Sequence, residues 1–355
     1  VVHGSSTAGG AYLPGLSDYV VLVKGRSSIY LAGPPLVKAA IGEDATDEEL
    51  GGAEMHASVT GLGEYLTDND AHAIALTRDL VDKLKWDAAT APRADVVAPL
   101  YDEQELLGCI SADDREPFDT REVIARIVDG SDFLEFKANY GSETLCGHAR
   151  INGHLVGILG NNGPIQPSGS TKAAQFIQLC DQSGTPLVFL QNTTGYMVGS
   201  AAEHGGAIKH GSKMIQAVAN ARVPKFTIVL NGSFGAGNYG MCGRGYAPRF
   251  LFSWPQAKTA VMGGEQAART MQIVAEAGMA RKGITPDPVQ MQAQFDQIVN
   301  VFESQADAFH TSGLVLDDGV IDPRDTRAVL SFCLDTCAEA AARQPRPMQF
   351  GVARM

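Results

Sequence analysis

The sequence predicts an α/β protein made of two related domains. Short apolar runs alternate with segments whose apolar residues recur every three or four positions, the patterns of buried strands and amphipathic helices. A glycine-rich turn occurs once in each half, and glycine is frequent overall, at 39 of 355 residues, so many tight turns are expected. We expect a first domain over residues 1–95 and a second over residues 96–355, with a connection rich in proline and charge at 86–117.

The first domain opens on the glycine-rich turn at residues 4–10. Two apolar runs come next, at 19–23 and 29–32, and both have the length and composition of short buried strands. An acidic stretch then leads to residues 71–84, where the apolar positions recur at three and four residues and predict a helix.

The second domain repeats strand and helix patterns in alternation. Apolar runs at 155–159 and 186–190 predict buried strands, and residues 170–180 between them have helical spacing. Residues 210–221 repeat the helix signal and 225–230 the strand signal. This alternation predicts a layered domain built from successive strand–helix units.

The two turns resemble each other, and the segments after them repeat in the same order. The run GSSTAGGAY at 4–12 is similar to GSFGAGNY at 232–239. Matching the letters pairs Ala8 with Ala236 and Gly9 with Gly237, which leaves Tyr12 and Tyr239 one position out of step. Each turn is succeeded by a strand-like run and then by a second apolar run ending in glycine, with spacings that differ by about three residues. We therefore predict a duplicated fold with two equivalent turns.

Each turn comes after a strand end and precedes a helix-like segment, so its amide hydrogens should point outward at a helix N-terminus. Such donors stabilise developing negative charge. The simpler interpretation is that glycine only permits a tight strand-to-helix connection, but the repetition of the turn favours a functional one.

Other chemistries fit the turns and their neighbours less well. Neither turn has the lysine of a phosphate loop or the GxGxxG dinucleotide fingerprint. Residues 231–235 approach a GxSxG nucleophile elbow around Ser233, but asparagine replaces the first glycine. His204, Lys209 and His210 flank a glycine-rich stretch, and capping of a helix that starts near His210 is favoured over metal binding or general-base catalysis.

Composition excludes several classes of protein. The formal net charge of −12 argues against nucleic-acid binding, and no apolar run is long enough to span a bilayer. The six cysteines lack disulfide or CxxC spacing, which is typical of a reducing compartment such as the bacterial cytoplasm or the mitochondrial matrix. Cys333 and Cys337 share a helix face, but no neighbouring ligand completes a metal site, so no metal is expected.

Several long motifs carry a resemblance to a known family. In chain order they lie at residues 6–12, 31–40, 50–56, 118–130, 190–199, 232–244, 261–268 and 350–355. They resemble the carboxyltransferase β-subunits of biotin-dependent acyl-CoA carboxylases, especially the methylcrotonyl-CoA and geranyl-CoA carboxylase branch. The motifs are spread over nearly the whole chain.

The resemblance implies a pair of crotonase-like (ClpP/crotonase) ββα-superhelix domains, the first of them incomplete in this chain. About the first third of a family member would precede Val1, including the strand that completes the acyl-CoA oxyanion hole. It also implies a hexameric ring in which the N-terminal domain of one subunit faces the C-terminal domain of another. Biotin would be carried by a biotin carboxylase / biotin carboxyl carrier α-subunit.

The resemblance also assigns roles to the two turns. The acyl-CoA would be held at Ala8, Gly9, Gly10 and Ala11, with the amides of Gly9 and Gly10 binding the thioester oxygen. The biotin ureido oxygen would be bound at Ala236 and Gly237, beside Thr194 and Gly195. Gly9, Gly10, Ala236 and Gly237 are then the catalytic positions, and neither a side-chain nucleophile nor a metal is needed.

The substrate implied by the resemblance is 3-methylcrotonyl-CoA or a longer branched enoyl-CoA such as geranyl-CoA. Ser6 and residues 28–30 and 54–56 depart from the methylcrotonyl branch, so propionyl-CoA or acetyl-CoA stays an alternative. Another crotonase-fold enzyme, a hydratase or isomerase, or a non-catalytic assembly subunit are further alternatives. A hydratase would need paired carboxylates beside the turn, and residues 9–17 contain no acid.

Overall fold

The computed structural model describes residues 1–83, 94–111, 116–283, 285–344, 347 and 351. The chain divides into two compact units, Val1–Ala89 with Arg343–Met355 (unit 1) and Thr90–Ala342 (unit 2). Both combine strands and helices, so the predicted α/β class is confirmed. The motif at 350–355 lies outside the described residues except for Gly351. The assignment of 1–95 and 96–355 to an incomplete and a complete family domain stays a prediction.

Unit 1 contains four short strands and five helices among its described residues, besides a 3-10 turn at Ala8–Ala11 and a π turn at His56–Thr60. The strands are β1 (Ser5–Thr7), β2 (Val21–Val23), β3 (Ser28–Tyr30) and β4 (Tyr65–Thr67). The helices are α1 (Tyr12–Gly15), α2 (Pro34–Ile41), α3 (Asp47–Gly51), α4 (Ala53–Met55) and α5 (Asp70–Lys83).

Strand β2 is the centre of unit 1. It pairs in parallel with β4, and Leu22 also bridges to Val2 ahead of β1, while β1 pairs in parallel with β3. All three β2 residues are buried, because Leu22 packs on one face with Ile29 and Ala53 while its two valine neighbours pack on the other. An uninterrupted apolar strand is typical of a strand covered on both faces.

Unit 2 is built on a seven-stranded sheet in the order β10-β9-β8-β7-β6-β5, with β11 pairing the end of β9. The strands are β5 (Leu134–Glu135), β6 (Thr144–Ile151), β7 (His154–Asn161), β8 (Leu187–Thr193), β9 (Lys225–Phe234), β10 (Phe250–Ser253) and β11 (Lys258–Ala260). Strands β7 to β11 run parallel, and β6 is antiparallel to both β5 and β7. The carboxyl ends of β7, β8 and β9 therefore share one edge, where α/β proteins commonly bind ligands.

Helices cover both faces of this sheet. They are α6 (Leu106–Cys109), α7 (Thr120–Ile127), α8 (Pro167–Ser183), α9 (Ser200–His204), α10 (Ala207–Asn220), α11 (Gly237–Gly240), α12 (Gly264–Arg281), α13 (Pro288–Ala306), α14 (Ala308–Gly313) and α15 (Thr326–Ala342). One apolar core centres on Trp254, whose indole N–H donates to Thr326 Oγ1 over 2.9 Å, and the other on Phe176 of α8. No helix in the described part of the chain is long and apolar enough to cross a membrane.

Local sequence explains where several helices begin. The side chains of Asp119, Asp287 and Asp307 accept hydrogen bonds from the first backbone amides of α7, α13 and α14. Thr46 and Glu49 form a reciprocal capping box at α3. Proline is the first residue of α8, where its missing N–H costs no helical hydrogen bond.

The duplication is visible in the backbone, but its register differs by one residue from the alignment of identical residue types predicted from the sequence. Thr7 pairs with Tyr30 as Phe234 pairs with Ala260. The next residue has positive φ in both units, 53° at Ala8 and 55° at Gly235. The pairing of Ala8 with Ala236 and of Gly9 with Gly237 was therefore wrong. The equivalent pairs are Ala8 with Gly235, Gly9 with Ala236, Gly10 with Gly237 and Tyr12 with Tyr239.

The equivalence extends beyond the turns. Ser28 at the start of β3 makes an isolated antiparallel bridge to Gly52, and Lys258 at the start of β11 makes the same kind of bridge to Asp307. The helix after the second strand is preceded in each unit by an extended glycine, Gly33 before α2 and Gly263 before α12.

Candidate functional site

The turn of unit 2 leaves two backbone amides without an acceptor. Strand β9 ends at Phe234, and the Gly235 amide donates to the Ala260 carbonyl over 3.0 Å. The chain then enters α11 through Ala236, whose carbonyl accepts from Tyr239. Within the described residues, the amides of Ala236 and Gly237 donate to no protein acceptor. They can bind an oxygen that carries negative charge.

A loop after β8 covers this turn. Gly195 has φ 120°, and its amide donates to Thr193 Oγ1 over 3.1 Å. A β-carbon added at Gly237 would lie 2.9 Å from Gly195 Cα and 3.0 Å from Thr193 Oγ1. The structure therefore brings Gly195 against Gly237, and the neighbouring Thr194 is exposed. The role of Thr193 in fixing the loop could not be read from the sequence, because it depends on packing between strands.

A cavity of about 380 Å³ lies beside the unit 2 turn and includes Gly235 and Ala236 in its lining. Several polar side chains also line it: Ser233, Asn238, Arg244, Ser253 and Asp317. Ser253 Oγ donates to the buried Asp317 carboxylate over 2.7 Å, and Arg244 pairs through both terminal nitrogens with Asp318. The rest of the lining is mainly apolar, so the cavity presents a few fixed polar groups within an apolar wall.

Ser233 does not have the surroundings of a catalytic serine. It is fully buried within β9, and the Asn238 side-chain amide donates to its Oγ over 2.8 Å. No histidine or carboxylate contacts that hydroxyl among the described residues. The nucleophile-elbow interpretation therefore gains no support, since a nucleophilic serine needs an adjacent base.

Two buried groups near the unit 2 turn, a thiol and a phenol, have raised pKa values. Burial raises the pKa of the Cys242 thiol to about 11, and it also raises the pKa of the Tyr196 hydroxyl. The Tyr196 side chain packs against Gly240 and Gly211. Neither group supplies a thiolate or phenolate near neutral pH, so neither is placed to act as a nucleophile or base at this turn.

The turn of unit 1 has the same backbone but a different neighbourhood. Gly9 and Gly10 are exposed, and a β-carbon at either would meet no atom within 4 Å. The Gly9 amide donates to no acceptor among the described residues. Ala11 is buried and lines a neighbouring cavity, whereas Ala8, Gly9 and Gly10 do not line it.

The cavity beside the unit 1 turn, which we call the unit 1 cavity, has a volume of about 560 Å³. Most of its lining is apolar: Ala11, Tyr12, Ile29, Tyr30, Leu31, Ala32, Val37, Leu50, Met55 and Leu62. His56 also lines it, but its Nε2 lies 2.6 Å from the Ile29 carbonyl and its Nδ1 2.8 Å from Thr60 Oγ1. Because both ring nitrogens have hydrogen-bond partners within the protein, the role of His56 is structural.

The remaining candidates lie outside these two sites. His204 ends α9 and is exposed, and His210 lies inside α10, which begins at Ala207 rather than near His210 as predicted. His210 Nδ1 is 3.1 Å from Thr171 Oγ1. Within the described residues, no group of three or more His, Cys, Asp or Glu side chains is placed to hold a metal ion.

The chain matches the carboxyl transferase domain family model over residues 1–350. It is 51% identical over 356 residues to the probable biotin-dependent acyl-coenzyme A carboxylase beta2 subunit of Mycobacterium tuberculosis, covering all of this chain and 67% of that protein. It is 48% identical over 356 residues to the mitochondrial methylcrotonoyl-CoA carboxylase beta chain of Dictyostelium discoideum, covering all of this chain and 60% of that protein.

A solved structure is also similar. The crystal structure of the P. aeruginosa geranyl-CoA carboxylase beta subunit superposes with a TM-score of 0.85 at 55% identity, covering 100% of this chain and 66% of that one. The chain thus spans about two thirds of the length of these relatives or less. The crotonase-like α/β fold predicted from the sequence is confirmed, and the chain belongs to the carboxyl transferase domain family.

Proposed function

We propose that this chain is the carboxyltransferase part of a biotin-dependent acyl-CoA carboxylase and moves a carboxyl group from carboxybiotin to an acyl-CoA. The observation that carries the proposal is the pair of equivalent turns, one in each unit, whose amides at Gly9, Ala236 and Gly237 donate to no acceptor among the described residues. Two turns of this kind match a reaction with two transient oxyanions, one on each reactant. The relatives of this chain are biotin-dependent or acyl-CoA carboxylase subunits by their descriptions.

The unit 2 turn fits the ureido group of biotin. Two adjacent free amides, at Ala236 and Gly237, suit one carbonyl oxygen that gains negative charge. Gly195 lies against Gly237 on one side of the turn, and the neighbouring Thr194 is exposed. When bound, carboxybiotin supplies the carboxyl group and, after releasing it, the base for the acceptor's acidic proton. This chain contributes binding, orientation and charge stabilisation.

The unit 1 turn and cavity are assigned to the acyl-CoA. Gly9 and Gly10 present amides to the thioester oxygen, and the resulting enolate needs no side-chain base from this chain. The apolar lining of the unit 1 cavity favours a hydrophobic acyl chain. We therefore propose 3-methylcrotonyl-CoA or a longer branched enoyl-CoA such as geranyl-CoA as the acceptor, with propionyl-CoA and acetyl-CoA as poorer ones.

The protein is proposed to act in a larger assembly. Biotin arrives on a biotin carboxylase / biotin carboxyl carrier α-subunit, and the turns of two neighbouring subunits act on one reaction within a homohexamer. Exposed apolar side chains on α12, at Met271, Ile273 and Val274, are typical of a surface that another chain covers. The compartment is proposed to be the bacterial cytoplasm or the mitochondrial matrix.

The test is carboxylation by the assembled holoenzyme. With ATP and labelled bicarbonate, label should enter acid-stable product with 3-methylcrotonyl- or geranyl-CoA at least about 10-fold more efficiently than with propionyl- or acetyl-CoA. A preference for the short acceptors would overturn the substrate assignment. Hydration or isomerisation of an enoyl-CoA without biotin-dependent label uptake would overturn the proposed reaction.

A further inference from the structure

One aromatic side chain in the wall of the unit 1 cavity is anchored by two hydrogen bonds of its hydroxyl. Tyr30 ends β3 and lines the cavity together with Leu31 and Ile29. Its hydroxyl donates to Asp47 Oδ1 over 2.7 Å, and Ser5 Oγ donates to the same hydroxyl over 3.1 Å. The ring is therefore tied to β1 on one side and to α3 on the other.

The ring is also enclosed by two glycines. A β-carbon at Gly51 would lie 2.9 Å from Tyr30 Cδ1 and would overlap the Ile29 carbonyl. A β-carbon at Gly33 would lie 3.3 Å from Tyr30 Cε2. Glycine at both positions lets the ring lie between the start of α2 and the end of α3.

These contacts anchor one side of the cavity. To move aside for a longer ligand, the ring would have to give up both hydrogen bonds of its hydroxyl, and one of them is to a carboxylate, the stronger kind of acceptor. Other parts of the lining are flexible by comparison, since Met55 and Leu31 have no polar group to anchor and can change rotamer. The Tyr30 side of the lining is therefore the more strongly anchored one.

We propose that Tyr30 is a specificity-determining residue that limits the size of the acyl chain, and that Asp47 is a positioning residue that holds it. The inference rests on the proposed function, because it requires the unit 1 cavity to receive the acyl group. The ring contacts the distal end of the chain, while the carbonyl end lies toward Ala11 and the turn. Removing the ring enlarges the cavity for long, branched acyl groups and leaves short ones loosely held.

The experiment compares variants of the assembled holoenzyme with two acceptors, 3-methylcrotonyl-CoA and geranyl-CoA. Tyr30→Ala should raise the ratio of kcat/KM for the longer acceptor over the shorter one by about 10-fold, the size of effect expected from one or more methylene groups. Tyr30→Phe keeps the ring and loses its anchors, so the ratio should rise only about 2-fold. Calorimetric Kd values of both thioesters for the same variants should change in parallel.

Two aspartates provide a matched pair for the positioning role. Asp47→Ala removes the anchor of the hydroxyl and should shift the ratio as Tyr30→Phe does. Asp44→Ala removes the same charge three residues away, where Asp44 makes only an exposed ion pair with Lys38, and should leave the ratio unchanged. Equal shifts in both aspartate variants would overturn the positioning role.

The outcomes separate this inference from the proposed function. If the wild-type holoenzyme carboxylates an acyl-CoA and a folded Tyr30→Ala variant keeps both the kcat/KM ratio and the Kd ratio, the specificity role of Tyr30 is wrong and the function stands. If the wild-type holoenzyme carboxylates no acyl-CoA, the proposed function itself is wrong. Tyr30→Phe, which preserves the volume of the ring, keeps the test valid should the alanine variant fail to fold.

Discussion

The turns of unit 1 and unit 2 have the same backbone in different surroundings. In each, a residue with φ near 55° comes after the strand, and the next amide, of Gly9 or Ala236, has no acceptor in the part of the chain that the structure describes. Gly237 is buried against the Thr193–Gly195 segment, whereas the equivalent Gly10 is exposed and meets no atom. The duplicated fold has therefore kept the geometry of the donors and changed what surrounds them.

The cavities differ in the same way. The unit 1 cavity is mainly apolar, and its polar groups, such as His56 and Tyr30, are satisfied by protein partners. The cavity of unit 2 also has a mainly apolar lining, but it includes Arg244, Asp317 and several hydroxyl or amide side chains. We propose that the equivalent turns bind oxyanions of two different reactants and that the neighbouring cavity selects the rest of each molecule.

The largest expected effect comes from adding a side chain at Gly237, where the unit 2 turn packs against the loop after β8. Gly237→Val should reduce carboxyl transfer by about 100-fold or more. Its side chain forces the turn away from Gly195 and so displaces the two amides of Ala236 and Gly237 that are proposed to bind the oxyanion. ATP-dependent carboxylation of biotin by the partner subunit should continue. Transfer is measured by acyl-CoA-dependent loss of label from carboxybiotin.

The matched substitution in unit 1 tests whether the difference in burial is real. Gly10→Val places the same side chain in open space, so its thermal midpoint should stay near wild type, while that of Gly237→Val should fall by several degrees. Gly108→Val, on an exposed glycine of α6, serves as a second control. Equal losses of stability at positions 10 and 237 would refute the contrast between the turns.

A smaller effect is expected from weakening the hydrogen bonding that holds the loop after β8 over the unit 2 turn. Thr193→Val keeps the shape of the side chain but deletes the hydroxyl, which accepts from the Gly195 amide over 3.1 Å and donates to the Gly195 carbonyl over 3.2 Å. Loss of these two hydrogen bonds, each worth about 1 kcal/mol, should reduce transfer by several fold and lower the thermal midpoint slightly. An unchanged rate would mean that the loop does not position the unit 2 turn.

The smallest effect is expected at Ser233. Ser233→Ala removes only the acceptor of the Asn238 side-chain amide, so transfer should fall by no more than about 5-fold. A nucleophilic serine would instead lose activity by about 10⁴-fold or more on the same change. Steady-state transfer rates distinguish the two cases directly.

The sequence predicted much of the fold because its strongest signals are local. The predicted helix at 71–84 is found as α5, and the predicted strand at 225–230 is the first part of β9. The two turns and the strands after them were also found where predicted. Helices α12 and α13 were not predicted, since their few buried residues give only a weak periodic pattern.

The register of the duplication could not be predicted, because aligning identical residue types pairs different positions from those that the strand pairing and backbone angles make equivalent. Alanine at position 8 adopts a positive φ that is uncommon for any residue but glycine, so matching Ala-Gly with Ala-Gly chose the wrong pairs. The Tyr30–Asp47 and Gly237–Gly195 contacts were also missed. They join residues from separate elements, and no spacing in the sequence indicates them.

The most direct test of the central claim is a structure of the holoenzyme with an acyl-CoA and biotin bound. We expect the ureido oxygen within about 3.1 Å of the Ala236 and Gly237 amides, and the thioester oxygen at a similar distance from the Gly9 or Gly10 amide. Either oxygen held instead by side chains, with these amides bonded to other protein groups, would contradict the proposed role of the two turns.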